Sequence, residues 1–179
     1  MKAIMRIFLK SLCSILLLSL ICCAVLASCN GKPVYTDKVY EENGLKLRLP
    51  ENMRRSDIDG YDFYFSNLAI VFTAVKFDSQ FLTDQGVSAD IDAKGYAEAY
   101  VEKRQLDKKS IYYLEEPEYD RYSFRYTYTL EDGSDAFYYV VIIGTSGNLW
   151  YIEMTCDQEN SGDYITEFEV WRKNMKTYS

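Results

Sequence analysis

The sequence predicts an α+β fold, a mostly antiparallel β-sheet with helices packed on both of its faces. Three observations carry that prediction. Tyr119 to Cys156 holds three consecutive β-runs joined by short turns, which reads as an antiparallel meander. Two runs, Leu68 to Val75 and Ala136 to Ile143, have no polar face and so need cover on both sides. Two segments, Ala93 to about Leu106 and Ser161 to Met175, carry apolar stripes at helical spacing.

Asp37 to Leu49 reads as a hairpin, with Asn43-Gly44 as its two-residue turn and Leu45, Leu47 and Leu49 alternating with Lys46 and Arg48. Pro50 ends it, because a ring nitrogen cannot donate to a ladder. Glu51 to Gly60 is polar and irregular. Tyr61 to Ser66 and Leu68 to Phe77 are strands joined through Asn67, the second of them central. Asp78 to Asp92 is a loop holding one helical turn at Phe81-Leu82, and Asp92 caps the helix that follows. On that helix Ala93, Tyr96, Ala97, Tyr100 and Val101 share a stripe. Lys103 to Lys109 is a small basic cluster, Ile111 to Leu114 a short strand, and Glu115 to Asp120 an acidic cluster.

In the meander, Tyr122 to Leu130 alternates as a strand with one buried face. Asp132-Gly133 turns the chain into Ala136 to Ile143, and Gly144 to Asn148 turns it into Leu149 to Cys156. Asn160 or Ser161 caps the last helix, whose stripe is Tyr164, Ile165, Phe168, Trp171 and Met175, with Lys173 and Lys176 at its C-terminal end. Trp171 is expected to anchor the core.

Residues 1–28 do not belong to this fold. Lys2, Arg6 and Lys10 precede an apolar stretch, Ser11 to Val25, which is short for a bilayer span. The stretch ends in Leu26-Ala27-Ser28-Cys29, which resembles the lipobox of bacterial lipoproteins. That resemblance implies a diacylglyceryl group on the Cys29 thiol and cleavage just before it. An ordinary secretory signal cut near Ala27 and a retained N-terminal anchor are the alternatives. The expected organisation is a signal peptide over 1–28, a tether over 29–36 and one domain over 37–178.

Cleavage before Cys29 leaves 151 of the 179 residues, enough for one domain with a sizeable core. The leader holds three basic residues and no acidic one, so 17 basic against 27 acidic residues remain, a net charge of −10. Such a surface is repelled by nucleic acid and by anionic headgroups, so acyl chains would carry the attachment. Of the five cysteines, only Cys156 is left once the leader and Cys29 are set aside, so no internal disulfide forms.

Gly44-Leu45-Lys46-Leu47-Arg48-Leu49-Pro50, the helix near Tyr96 to Leu106, the tyrosine-rich meander and the closing helix with Phe168 and Trp171 together resemble the PsbP-like and DcrB-like α/β/α sandwich domains. The likeness covers about residues 37–178 and rests on element order. Such domains are often carried by bacterial lipoproteins. The resemblance implies a non-catalytic binding or assembly module and supplies no functional residue.

Histidine is absent, which closes the histidine-based routes to nucleophile activation and to zinc or iron ligation. Asp90-Ile91-Asp92-Ala93-Lys94-Gly95 starts like a calcium loop, but Lys94 and Val101 stand where ligands belong. Asp57, Asp59 and Asp62 gather around Gly60, with a turn as the ordinary reading. Glu153, between Ile152 and Met154, is expected on an exposed strand edge, and no second acid is identifiable to oppose it. No enzyme activity, cofactor or metal is therefore expected.

Seventeen tyrosines exceed what a core needs. Sheet packing accounts for most of them, and Tyr112, Tyr113, Tyr138, Tyr139 and Tyr151 are the candidates for an aromatic partner surface. The reading is a lipid-anchored extracytoplasmic protein, bound to the bilayer through acylated Cys29, whose domain binds a protein or envelope component. The alternative is a ligand-binding or hydrolytic domain with a pocket between helix and sheet.

Overall fold

Asn43 and Gly44 both take positive φ, 54° and 89°, and close a tight hairpin between β1 (Asp37–Glu42) and β2 (Leu45–Pro50). The structure, a computed structural model, describes residues 36–116, 120–145 and 147–178. The leader, Cys29, the tether before Thr36 and residues 117–119 of the acidic cluster lie outside the described residues.

The hairpin does not join the main sheet. Its β2 pairs instead with β10 (Lys176–Thr177), making a three-stranded sheet of order β1-β2-β10. Lys176 therefore lies in a strand, not at the end of a helix. Leu45, Leu47 and Leu49 all point into the core, so the alternation read in the sequence is used to lay this small sheet on the large one.

The large sheet has seven strands in the order β3-β4-β5-β9-β8-β7-β6, every neighbouring pair antiparallel. These are β3 (Arg54–Arg55), β4 (Phe63–Ser66), β5 (Ile70–Asp78), β6 (Tyr112–Glu116), β7 (Arg121–Thr129), β8 (Asp135–Thr145) and β9 (Asn148–Asp157). The two residues of β3 fall in the segment read as irregular; they pair with Ser66 and Phe65. The β4–β5 turn is longer than one residue, because Asn67 Oδ1 accepts the N–H groups of both Ala69 and Ile70 at 2.8 Å. The meander is β7-β8-β9, and it meets the earlier strands where β9 pairs with β5, from Ile70 opposite Cys156 to Asp78 opposite Asn148.

Helix α1 (Ser79–Asp84) is the short turn at Phe81-Leu82. Helix α2 (Ala93–Lys103) and helix α3 (Ser161–Asn174) lie on opposite faces, as the doubly apolar β5 and β8 require. On one face Ala93, Ala97 and Val101 of α2 pack with Phe124, Val140, Ile142 and Leu149. On the other, Phe168, Trp171 and Met175 pack with the hairpin leucines, Phe72, Val141, Trp150 and Ile152. In β7, Tyr122, Ser123 and Phe124 are all buried, so this strand also has cover on both faces rather than one. Asn160 precedes α3 without a side-chain bond into it, and a 3₁₀ turn over Gln158–Asn160 leads in.

Candidate functional site

Helix α2 is held at its start by two carboxylates. Asp92 Oδ1 accepts the Gly95 N–H at 2.7 Å, and Asp120 Oδ1 the Ala93 N–H at 3.3 Å. Asp120 has room because Gly144 lacks a side chain: a Cβ there would sit 1.5 Å from its Oδ2. Asp92 is thus spent on the cap. Asp62, in the other acidic group, takes the Lys76 N–H at 2.8 Å and the Asn43 amide at 3.1 Å.

So fixed, α2 lowers Tyr100 onto the sheet. Its hydroxyl lies 2.9 Å from that of Tyr126 and 3.1 Å from that of Tyr151, and Tyr151 donates to Glu153 Oε2 at 2.5 Å. Each phenol has one proton, so the Glu153 carboxylate is the terminal acceptor of the chain. The Arg104 guanidinium stands 5.3 Å over the Tyr100 ring. Burial raises the pKa values of Tyr100, Tyr126 and Tyr151, helped by the neighbouring Glu153 charge, and pushes Tyr96 up to about 12. Burial also raises that of Glu153, against the opposing pull of Tyr151, Arg104 and Thr155.

Glu153 is therefore not at an exposed edge. Alternation does put it on one face with Tyr151 and Thr155, but β9 lies between β5 and β8 in the middle of the sheet. Local alternation cannot say whether a strand is central or terminal; the β5–β9 pairing decides it.

A raised folded-state pKa means that folding favours the protonated acid. The stability from protonated Glu153 is fully present below the unfolded value, 4.5, and is lost as pH rises through the higher folded value. Glu153→Gln cannot titrate. The wild type is thus expected to gain on this variant as pH falls from 7 toward 4.5, in unfolding midpoints measured in parallel. A difference independent of pH would show that this carboxyl is not perturbed.

The five tyrosines named from the sequence divide between the two faces. Tyr113, Tyr138 and Tyr151 face α2: Tyr138 stacks on Tyr126 at 4.9 Å, and Tyr113 packs against Tyr122 and Phe124. Tyr139, only 3 % exposed, lies under α3 with its ring 6.1 Å from Phe168. Tyr112, 56 % exposed, stands on the end strand β6 beneath the Arg125 guanidinium, 4.2 Å from its ring. Cys29 lies outside the described residues. Cys156 is buried, and burial pushes its thiol up to about 11.

A second polar cluster lies at the C-terminal end of α3. Arg172, 2 % exposed, pairs with Glu116, whose Oε2 also lies 3.4 Å from Arg121 Nη1. Arg121 donates to the backbone carbonyls of Arg172 at 3.1 Å and Met175 at 2.8 Å, closing the end of α3. The available signal was spacing: Arg172 follows Phe168 by four residues and so shares the buried stripe.

At one end of the sandwich an open cleft of about 430 Å³ is lined by Gly44, Lys76, Gly144, Thr145, Asn148, Trp150, Thr177 and Tyr178. Among the described residues no carboxylate lines it, and none of its lining residues comes from a helix. Among the described residues no group of three or more metal-ligating side chains converges.

No protein-family model and no curated protein sequence matches the chain. Solved structures do. Cyanobacterial PsbP from Synechocystis sp. PCC 6803 superposes with a TM-score of 0.51 at 15 % identity, over 84 % of this chain and 97 % of that one. The fold is PsbP-like. The Saccharomyces cerevisiae Ran-binding protein Mog1p has it too, with a TM-score of 0.52 at 7 % identity over 80 % and 96 % of the two chains. A Bacteroides thetaiotaomicron protein matches with 0.52 at 14 % identity over 79 % of this chain; there the likeness spans only 48 % of the longer partner. In this PsbP-like domain both polar clusters sit between the sheet and a helix, where they hold the layers together.

Proposed function

We propose that the chain is a membrane-anchored extracytoplasmic lipoprotein whose PsbP-like domain binds or assembles with another component without catalysis. The observation that carries this reading is Leu26-Ala27-Ser28-Cys29 at the end of a basic, then apolar leader. The domain is consistent with it. Both faces of the sheet are filled by packed side chains, and the Glu153 cluster has no opposing acid on its chain of contacts. Among the described residues the open cleft has none of the convergent carboxylates that a hydrolytic pocket would need. A fold relative named for binding Ran supports a protein as the partner class.

Attachment is assigned to acylated Cys29 because it stands at the end of the basic, then apolar leader. Cells fed a radiolabelled fatty acid are expected to label the wild-type chain, and Cys29→Ala is expected to lose both label and membrane association. Label retained by Cys29→Ala, or an unlabelled wild type, would refute the anchor. Capture from membranes with the wild type beside Cys29→Ala then identifies the partner.

A further inference from the structure

The point where the chain enters the domain selects one end of the sandwich. The Thr36 carbonyl accepts the Glu51 N–H at 2.9 Å, so entry is beside the end of β2. From there β1 runs alongside β4 in the opposite sense. Asn43 bonds Asp62 at 3.1 Å, and the Tyr40 ring lies 4.5 Å from that of Phe65. Three residues back along β1 thus match three residues forward along β4, at about 3.3 Å per residue. Continuing the step carries the start of β1 toward the β4–β5 turn.

Leu68 is fully exposed at the tip of a turn that the Asn67 carboxamide holds rigid. An apolar side chain fixed in water gains nothing from the fold that displays it. Val39 is 45 % exposed, Arg48 stands opposite Val39, and Arg54 stands opposite Ser66, next to the turn. Lys38, Arg48 and Arg54 supply basic groups on the hairpin side of the turn, while Asp157 follows Cys156, the partner of Ile70, on its other side. The β7–β8 turn at the same end of the sheet is the opposite case, bearing Glu131, Asp132 and Asp135.

We propose that the Leu68 corner rests on the lipid surface, with Leu68 in the interfacial layer and Arg48 and Arg54 against lipid phosphates. This rests on the acylation of Cys29. Cys29 and Thr36 are seven residues apart, a reach of at most about 25 Å, so an anchored domain stays within contact range of the bilayer.

The test uses the full chain purified from membranes, its mass read for acyl groups, in phosphatidylcholine and phosphatidylglycerol vesicles containing headgroup-nitroxide lipid. Leu68→Cys and, separately, Leu130→Cys carry an environment-sensitive fluorophore; Cys156 is buried and does not compete. Quenching at 68 is expected to exceed that at 130 several-fold, with emission moved to shorter wavelength. Equal quenching in an acylated chain, or stronger quenching at 130, overturns the orientation alone. A chain without acyl mass overturns the anchor and the orientation with it.

Discussion

Replacing Trp171 by alanine is expected to lower the unfolding free energy by about 3 to 5 kcal/mol, the cost of emptying a large core site that relaxes only partly. Trp171 is 5 % exposed, and its ring packs 5.5 Å from that of Phe168. Phe168 in turn meets Phe137, Tyr139 and Tyr164, so the indole supports the layer that joins α3 to β8. Denaturant titration of both proteins measures the effect. The neighbouring Val170, 49 % exposed, supplies the contrast, since its alanine variant is expected to change stability by no more than about 0.5 kcal/mol. An unchanged midpoint for Trp171→Ala would place the α3 stripe outside the core.

Glu116→Ala is expected to cost about 3 kcal/mol, because it leaves the Arg172 charge buried without its carboxylate. Arg172 is nearly inaccessible and has the paired Glu116 as its facing anion. The informative comparison is the double replacement Glu116→Leu with Arg172→Met, which removes both charges and should recover most of the loss. If the double variant is as unstable as the sum of its parts, the two residues are not coupled. The large cost of the single change comes from desolvation, which raises the effect of a missing partner well above that of an exposed pair such as Lys46–Glu41.

Much of the scaffold was legible along the chain. Asn43-Gly44 can take the positive φ that a tight hairpin needs, and Asp92 has the short acceptor that a helix start needs; both effects act within a few residues. The run Ala136 to Ile143 called for two apolar layers, and helices on opposite faces of the sheet supply them. The misreadings have one origin. Glu153 was placed at an edge and Lys176 in a helix because each assignment depends on a distant strand, β5 in one case and β2 in the other. The spacing that puts Arg172 in the stripe does not show its burial, which depends on a carboxylate brought from β6.

The candidate site divides the same way. Composition named the tyrosines, and alternation separates Tyr112 from Tyr113 and Tyr138 from Tyr139. Which of them would join a carboxylate required the packing of α2 across β7 and β9, which sets Tyr100 between Tyr126 and Tyr151.

By itself the sequence determined the fold class, the hairpin turns at Asn43-Gly44 and Asp132-Gly133, the helix start at Asp92 and the candidate lipid-bearing cysteine, because these depend on periodicity, φ preference and local order. Only the tertiary structure decided that the hairpin leaves the main sheet, that Glu153 and Arg172 are buried, and that Leu68 is left fully exposed at the β4–β5 turn. Those facts depend on contacts between residues far apart in the chain, whose energies arise from desolvation and packing and leave no periodic mark on either segment alone.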